Sequence, residues 1–347
     1  MLKPSILVLA AALLASGCSI HPVPADVTGV DTKDIVKQIR CETREALADE
    51  IKAQLKKWAA AGSPEAETLS RQYESDPNAI EDFHPKLFPG PSYVQVRSLI
   101  NLFADTAIAY NFDLTMTENN DLATDINFLK PLTQPRFTLG VNAGALRKRT
   151  NQRTFTITDT FSFLVTRLNR KDAYGGRYCD GKIVRENYIY PIAGRIGVDK
   201  TITTFLELTV FGNLGGDKGK GPPTMADKLT FTTTLNISAN PRIEFTPVSN
   251  NFQLASASLR ASADRTDRHE VTVGLAVAGA GFDELDSFRE YAFSPGRGGG
   301  RAAARSAGSG LYRGERVMGG GTPAERAAVQ QIDLLKRQEI QLIGPPP

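Results

Sequence analysis

The chain has 347 residues, 41% hydrophobic and 23% charged, which suits one large core or two modest ones and excludes wholesale disorder. A formal net charge of +3 is too small for the overall balance to argue for nucleic acid or another strongly anionic partner.

The N-terminus carries the most specific signal. Lys3 precedes an apolar run over residues 6–15, which is half of the roughly 20 residues a membrane-spanning helix needs. The run ends in Ala15-Ser16-Gly17-Cys18, small residues of the kind a signal peptidase accepts. This ending resembles the lipobox of bacterial lipoproteins, although that family usually has Leu where this chain has Ala15, with Leu14 one place earlier. The resemblance covers only the first 18 residues. It implies acylation of Cys18, cleavage before it, and anchoring by several acyl chains, each buried methylene contributing about 0.8 kcal/mol. Because Ser19 stands where inner-membrane lipoproteins typically carry Asp, it also implies a lipid anchor in the outer membrane facing the periplasm. A secretory signal that happens to stop at a cysteine is the bland alternative.

With Cys18 consumed, Cys41 and Cys179 remain in a compartment that oxidises thiols. Spacing alone leaves both a disulfide and two unrelated thiols open.

After the signal (1–17), residues 18–30 hold two prolines and no periodicity, as a tether would. Residues 31–105 read as helical. Ile35, Ile39, Leu47, Ile51, Leu55 and Trp58 recur mostly at spacings of three and four. Ser63-Pro64-Glu65 starts a second helix, Asp76-Pro77 a shorter one, and Ser92 with Gln95 forms a capping box ahead of Val96, Leu99, Ile100 and Phe103.

From residue 106 the period becomes two, first over Ile108, Tyr110, Phe112, Leu114 and Met116. Further strands are expected around Phe137 to Val141, Phe155 to Phe163, residues 183–198, residues 201–211, Leu229 to Ile237, residues 252–263 and residues 271–277. Thr and Ser on the opposite face point to antiparallel strands with one wet side. Residues 106–293 are thus expected to form an antiparallel β domain. Residues 294–321, rich in Gly, Ala and Arg, read as a flexible linker, and 322–347 as a helix with a proline tail. The fold class is α+β: a helical N-terminal region, then an antiparallel β-sandwich or barrel-like sheet, then linker and C-terminal helix.

Chemistry is harder to find. The three histidines, His21, His84 and His269, share no metal-ligand spacing, and no HExxH, paired CxxC or GxSxG motif occurs. No cofactor or metal is therefore expected. Asp264, Asp267, His269 and Glu270 crowd one region that reads better as a solvated turn than as a calcium site. The loop over residues 212–221 is not a Walker A loop, because Lys220 is followed by Gly221. Two binding candidates remain. One is the series Arg297, Arg301, Arg305, Arg313 and Arg316, suited to lipid phosphates or an anionic envelope polymer, although most basic linkers are merely soluble. The other is the Thr/Ser face of the sheet with Tyr174, Tyr178, Tyr188 and Tyr190 nearby, residues equally ordinary in strands and cores.

The sequence favours a lipid-anchored envelope protein with a non-catalytic binding or assembly role, its partners being the membrane and an envelope protein or polymer. An outer-membrane-inserted barrel or transport component is the first alternative, and Asp159 on the same strand face as Phe155, Ile157, Phe161 and Phe163 argues against it. An envelope hydrolase with a dispersed site is the second.

Overall fold

A computed structural model describes residues 22–130, 137–216, 221–244, 253–279 and 322–342. Cys18, His21, the residues expected to be a linker (294–321) and the five arginines at 297–316 lie outside the described residues.

Among the described residues the main helices are α1 (Thr32–Ala60), α2 (Pro64–Ser75), α3 (Val94–Ala104), α4 (Phe161–Thr166), α5 (Val198–Val210) and α6 (Pro323–Leu342). The strands are β1 (Ala107–Lys130), β2 (Phe137–Thr160), β3 (Thr224–Ala239), β4 (Arg242–Glu244) and β5 (Gln253–Ala276). They form one antiparallel sheet in the order β2-β1-β5-β3, with β4 also paired to β5. This is a mixed α+β fold whose sheet, among the described residues, is a single open path with β2 and β3 at its ends. No helix is long and apolar enough to cross a membrane among the described residues.

The chain divides into two compact units. The first comprises Asp113–Arg153, Thr230–His269 and the N-terminal residues up to Thr32; the second comprises Lys33–Phe112, Thr154–Leu229 and Glu270 onward. The long strands contribute residues to both.

In the second unit helices cover both faces of the sheet. On one face lie Ile108, Tyr110 and Phe112 of β1, fully buried. Arg40 of α1 reaches Asp159 of β2 on this side. The opposite face is small: Ala107, Ala109 and Ala276 pack against Ala324, Ala328 and Ile332 of α6. The small residues set the approach, since a Cβ on Gly274 would lie 2.2 Å from the Ala328 carbonyl oxygen. Lys336 of α6 donates to the Asn111 side chain, and Lys228 donates to Glu339 at 2.8 and 2.9 Å.

Three expected strands are corrected. Phe161 and Phe163 continue the alternation of β2 only in the sequence; Thr160 Oγ1 accepts the Phe163 amide at 3.2 Å and starts α4, which buries Phe161, Leu164 and Val165. Residues 201–211 belong to α5 and its end, where Val198, Ile202, Phe205 and Thr209 recur at helical spacing and are buried. Glu42 of α1 starts that helix: its carboxylate accepts the Ile196, Gly197 and Val198 amides at 2.9, 2.7 and 3.0 Å, a carboxylate at the positive end of the dipole. Residues 183–197 hold no strand. A fourth correction joins two expected strands, because residues 252–263 and 271–277 are bridged into β5. Ser63 does cap α2, accepting the Ala66 amide at 3.2 Å ahead of Pro64. Ser92 does not cap α3, which follows a 3-10 turn at Pro91–Tyr93.

Candidate functional site

The part of the sheet that belongs to the first unit is where the sequence pattern and the exposure disagree with an ordinary core. Three contacts define its register. Thr117 and Thr150 hydroxyls meet at 3.3 Å across β1 and β2, the Asn127 amide donates to Ser256 Oγ at 3.2 Å across β1 and β5, and Ile243 of β4 lies opposite Ala257 of β5. The Leu259 amide donates to the Pro241 carbonyl at 3.0 Å, so β4 continues the register of β3 past the break at Asn240 and Pro241.

Counting from these contacts sorts every side chain onto one of two faces, because successive residues of a strand alternate. One face carries Leu122, Thr124, Ile126 and Phe128 from β1, and Leu139, Val141, Ala143 and Ala145 from β2. It continues with Ala257, Leu259, Ala261 and Ala263 from β5, and Ile237, Ala239 and Ile243 from β3 and β4. No charged or amide side chain interrupts these rows. The other face carries Asp121, Asp125 and Asn127, then Asn142, then Ser256, Ser258, Arg260 and Ser262, then Thr232, Thr234, Asn236 and Ser238. Leu146 is its one large apolar side chain among these rows.

The apolar face is open. Val141 is 46% exposed, Leu122 48% and Ile243 54%, where core residues of the second unit fall to zero. Contiguous exposed apolar area of this kind marks an interaction surface, with protein or with lipid.

The apolar rows end at a belt of charge. Arg265 donates from Nε to both Asp267 oxygens at 2.9 and 3.0 Å, from Nη1 to Glu118 at 3.1 Å, and from Nη2 to the Val23 carbonyl at 2.7 Å. Asn151 donates to the Pro22 carbonyl at 2.7 Å, and Arg153 to Thr32 Oγ1 at 2.7 Å. Glu118, Asn151, Arg153 and Arg265 all project from the same face as the apolar rows. The described chain therefore starts at the belt, on the apolar side. Cys18 is four residues upstream of Pro22, a stretch that spans at most about 14 Å.

Next to the belt, Asp267 and His269 are almost completely buried. Burial pushes the His269 imidazole down to about 4, with Asp267 raising it and Arg265 lowering it further. The region expected to be a solvated turn at Asp264 to Glu270 is thus continuous strand; Asp264 and Glu270 project from one face, Asp267 and His269 from the other, so alternation splits the four groups into two pairs.

The remaining sequence candidates fall elsewhere. Cys41 of α1 is joined to Cys179, in the segment between α4 and α5, with Cα atoms 5.7 Å apart. The tyrosines are not strand residues: Tyr178 accepts from Arg40 at 3.2 Å and stacks under its guanidinium, Tyr190 is buried, and Tyr174 and Tyr188 stand in solvent. The second unit also has an apolar groove between α1, α3, α4 and α5, lined by Ile51, Trp58, Ile100, Phe103, Val165 and Phe211. Several residues read as the buried face of α3 are walls of this groove. Sequence reasoning missed the apolar face of the sheet as a site. Its alternation was visible, but the register that aligns four strands was not.

The family described as "Uncharacterised protein y4kA" matches residues 21–290. A protein of Sinorhizobium fredii (strain NBRC 101917 / NGR234) with that same description is 37% identical over 281 residues, covering 80% of this chain and 83% of its own length.

Proposed function

The chain belongs to the family described as uncharacterised protein y4kA, and we propose that it is a lipid-anchored component of the cell envelope, non-catalytic, whose amphipathic sheet in the first unit enters the outer membrane. The observation that carries this reading is the charge-free apolar face ending at a charged belt. Alternation of apolar and polar residues is how a β-strand lies between lipid and water, and roughly 9 to 11 tilted residues cross a bilayer core. Residues 257–263 of β5, somewhat short of that length, carry the row up to Arg265.

The lipobox-like ending at Cys18 supports the same reading from a separate direction. An acylated Cys18 lies in the headgroup region, and the short stretch to Pro22 keeps the belt close to it. Anchor and apolar rows then meet the membrane at one level and from one side. The earlier objection from Asp159 falls away, since that residue belongs to the second unit and is bonded to Arg40.

The test replaces residues 121–126 by cysteine one at a time, Cys18 being acylated and Cys41 bonded to Cys179, and attaches a nitroxide to each in bilayers. Access to lipid-soluble oxygen should peak at 122, 124 and 126, and access to an aqueous nickel complex at 121, 123 and 125. Uniform aqueous access would mean that the protein is anchored by acyl chains alone.

A further inference from the structure

We propose that the sheet closes into a barrel with further copies of this chain, the β2 edge of one copy pairing with the β3–β4 edge of the next. This rests on the reading that the sheet enters the membrane, and it names the partner that such an entry requires.

Hydrocarbon cannot hydrogen-bond the row of N–H and C=O groups along an open strand edge, so sheets cross bilayers only as closed barrels. One copy has four long strands in one path among the described residues, and the smallest membrane barrels have eight. At least two copies must therefore share a barrel.

The two end strands are fit to pair. Proteins usually protect an exposed edge with proline, a bulge or charged side chains. Between Thr138 and Leu146, β2 has neither proline nor charge, and its charges Arg147, Lys148 and Arg149 come only toward the belt. The other edge has one, Pro241, but its carbonyl accepts from Leu259 of β5. In an antiparallel ladder a residue's N–H and C=O point toward the same neighbour, so the donor missing at Pro241 is missing on the inner side. The outward-pointing residues Thr234, Asn236, Ser238 and Arg242 keep their donors.

Direction and facing also agree. The sheet is antiparallel, so β1 runs against β2 and β5, and β5 runs against β4 and, in the same register, β3. Four alternating strands leave β2 and β3 running in opposite directions. A head-to-tail contact then continues the antiparallel order and keeps every apolar row on one side, a heterologous interface that closes into a ring when its rotation closes. Asp121, Asp125, Arg260 and Arg242 would line the interior, where water can reach them.

The experiment uses two differently tagged full-length chains co-expressed in a lipoprotein-processing host. One carries Asn142→Cys on β2; the other carries, in turn, Thr232→Cys, Thr234→Cys, Asn236→Cys or Ser238→Cys on β3. A short bis-maleimide should give a product bearing both tags for at least one pair, and native mass in detergent should read a multiple of one chain. Thr234→Pro, which removes an outward donor, should abolish that product while the Cys41–Cys179 bridge still forms. A single-chain mass in detergent, with no cross-link in any pair, overturns the proposal. If the nitroxide pattern nonetheless alternates, the membrane reading survives and only the identity of the partner is wrong. A cross-linked product from a protein whose sheet shows uniform aqueous access would keep the pairing of copies and remove the membrane.

Discussion

Arg40 holds Asp159 by two hydrogen bonds, Nε to Oδ2 at 2.8 Å and Nη2 to Oδ1 at 2.6 Å. The Arg40 and Asp159 side chains are only 17% and 4% exposed, so the pair is desolvated and each charge depends on the other. Removing one partner from such a pair costs about 3–5 kcal/mol, because it strands the other. Arg40→Met should therefore lower stability by that amount in urea unfolding of the full-length protein in detergent. The double variant Arg40→Met with Asp159→Leu should recover most of the loss. Equal instability of single and double variants would mean that the two residues do not act as a pair.

The bridge between Cys41 and Cys179 spans 138 residues of sequence. In the loop-entropy account a closure of that length stabilises by about 4–5 kcal/mol through the unfolded chain. Cys41→Ser should move the urea midpoint down accordingly, and adding reductant to that variant should move it no further. A midpoint unchanged by the substitution contradicts the assignment of the bridge as a stabilising element.

His269 gives the pH dependence. Its folded value, pushed down to about 4 by burial, lies below the ordinary value near 6.5 that the unfolded chain has. The unfolded state therefore binds the proton first. The contribution of His269 is fully present above pH 6.5 and is lost as pH falls toward 4, up to about 3 kcal/mol by linkage. Unfolding free energy measured from pH 7 to pH 4 should fall more steeply for the natural protein than for His269→Gln. Parallel curves would show that His269 is not the group responsible.

Much of the fold is legible along the chain because local pattern decides it. Ser63 and Pro64 start α2 by their own chemistry, and the Thr and apolar alternation from Thr230 to Ile237 can only be a half-wet strand. The misreadings have physical causes. Thr201, Thr203 and Thr204 carry strand propensity, but the carboxylate of Glu42, over 150 residues upstream in sequence, supplies the acceptors that start α5 there. Arg265, Asp267 and His269 interrupt the apolar run of β5, yet partners in neighbouring segments let the strand pass through them. The candidate site was the least legible part. Each strand shows its own alternation, but whether Ile126, Val141, Ala257 and Ile243 share a row depends on register between strands far apart in sequence. Asp159 shows the converse: its place in the alternation is correct, while the helix that covers it comes from another part of the chain.

In the proposed function the sheet itself, and not only an acyl chain, enters the membrane. The most direct measurement is fractionation of a Cys18→Ser variant, exported to the periplasm without lipid, beside the natural protein. The variant is expected to stay with the outer membrane through carbonate washing and to be released only by detergent. A variant recovered folded, with its Cys41–Cys179 bridge intact, in the detergent-free soluble fraction would contradict it.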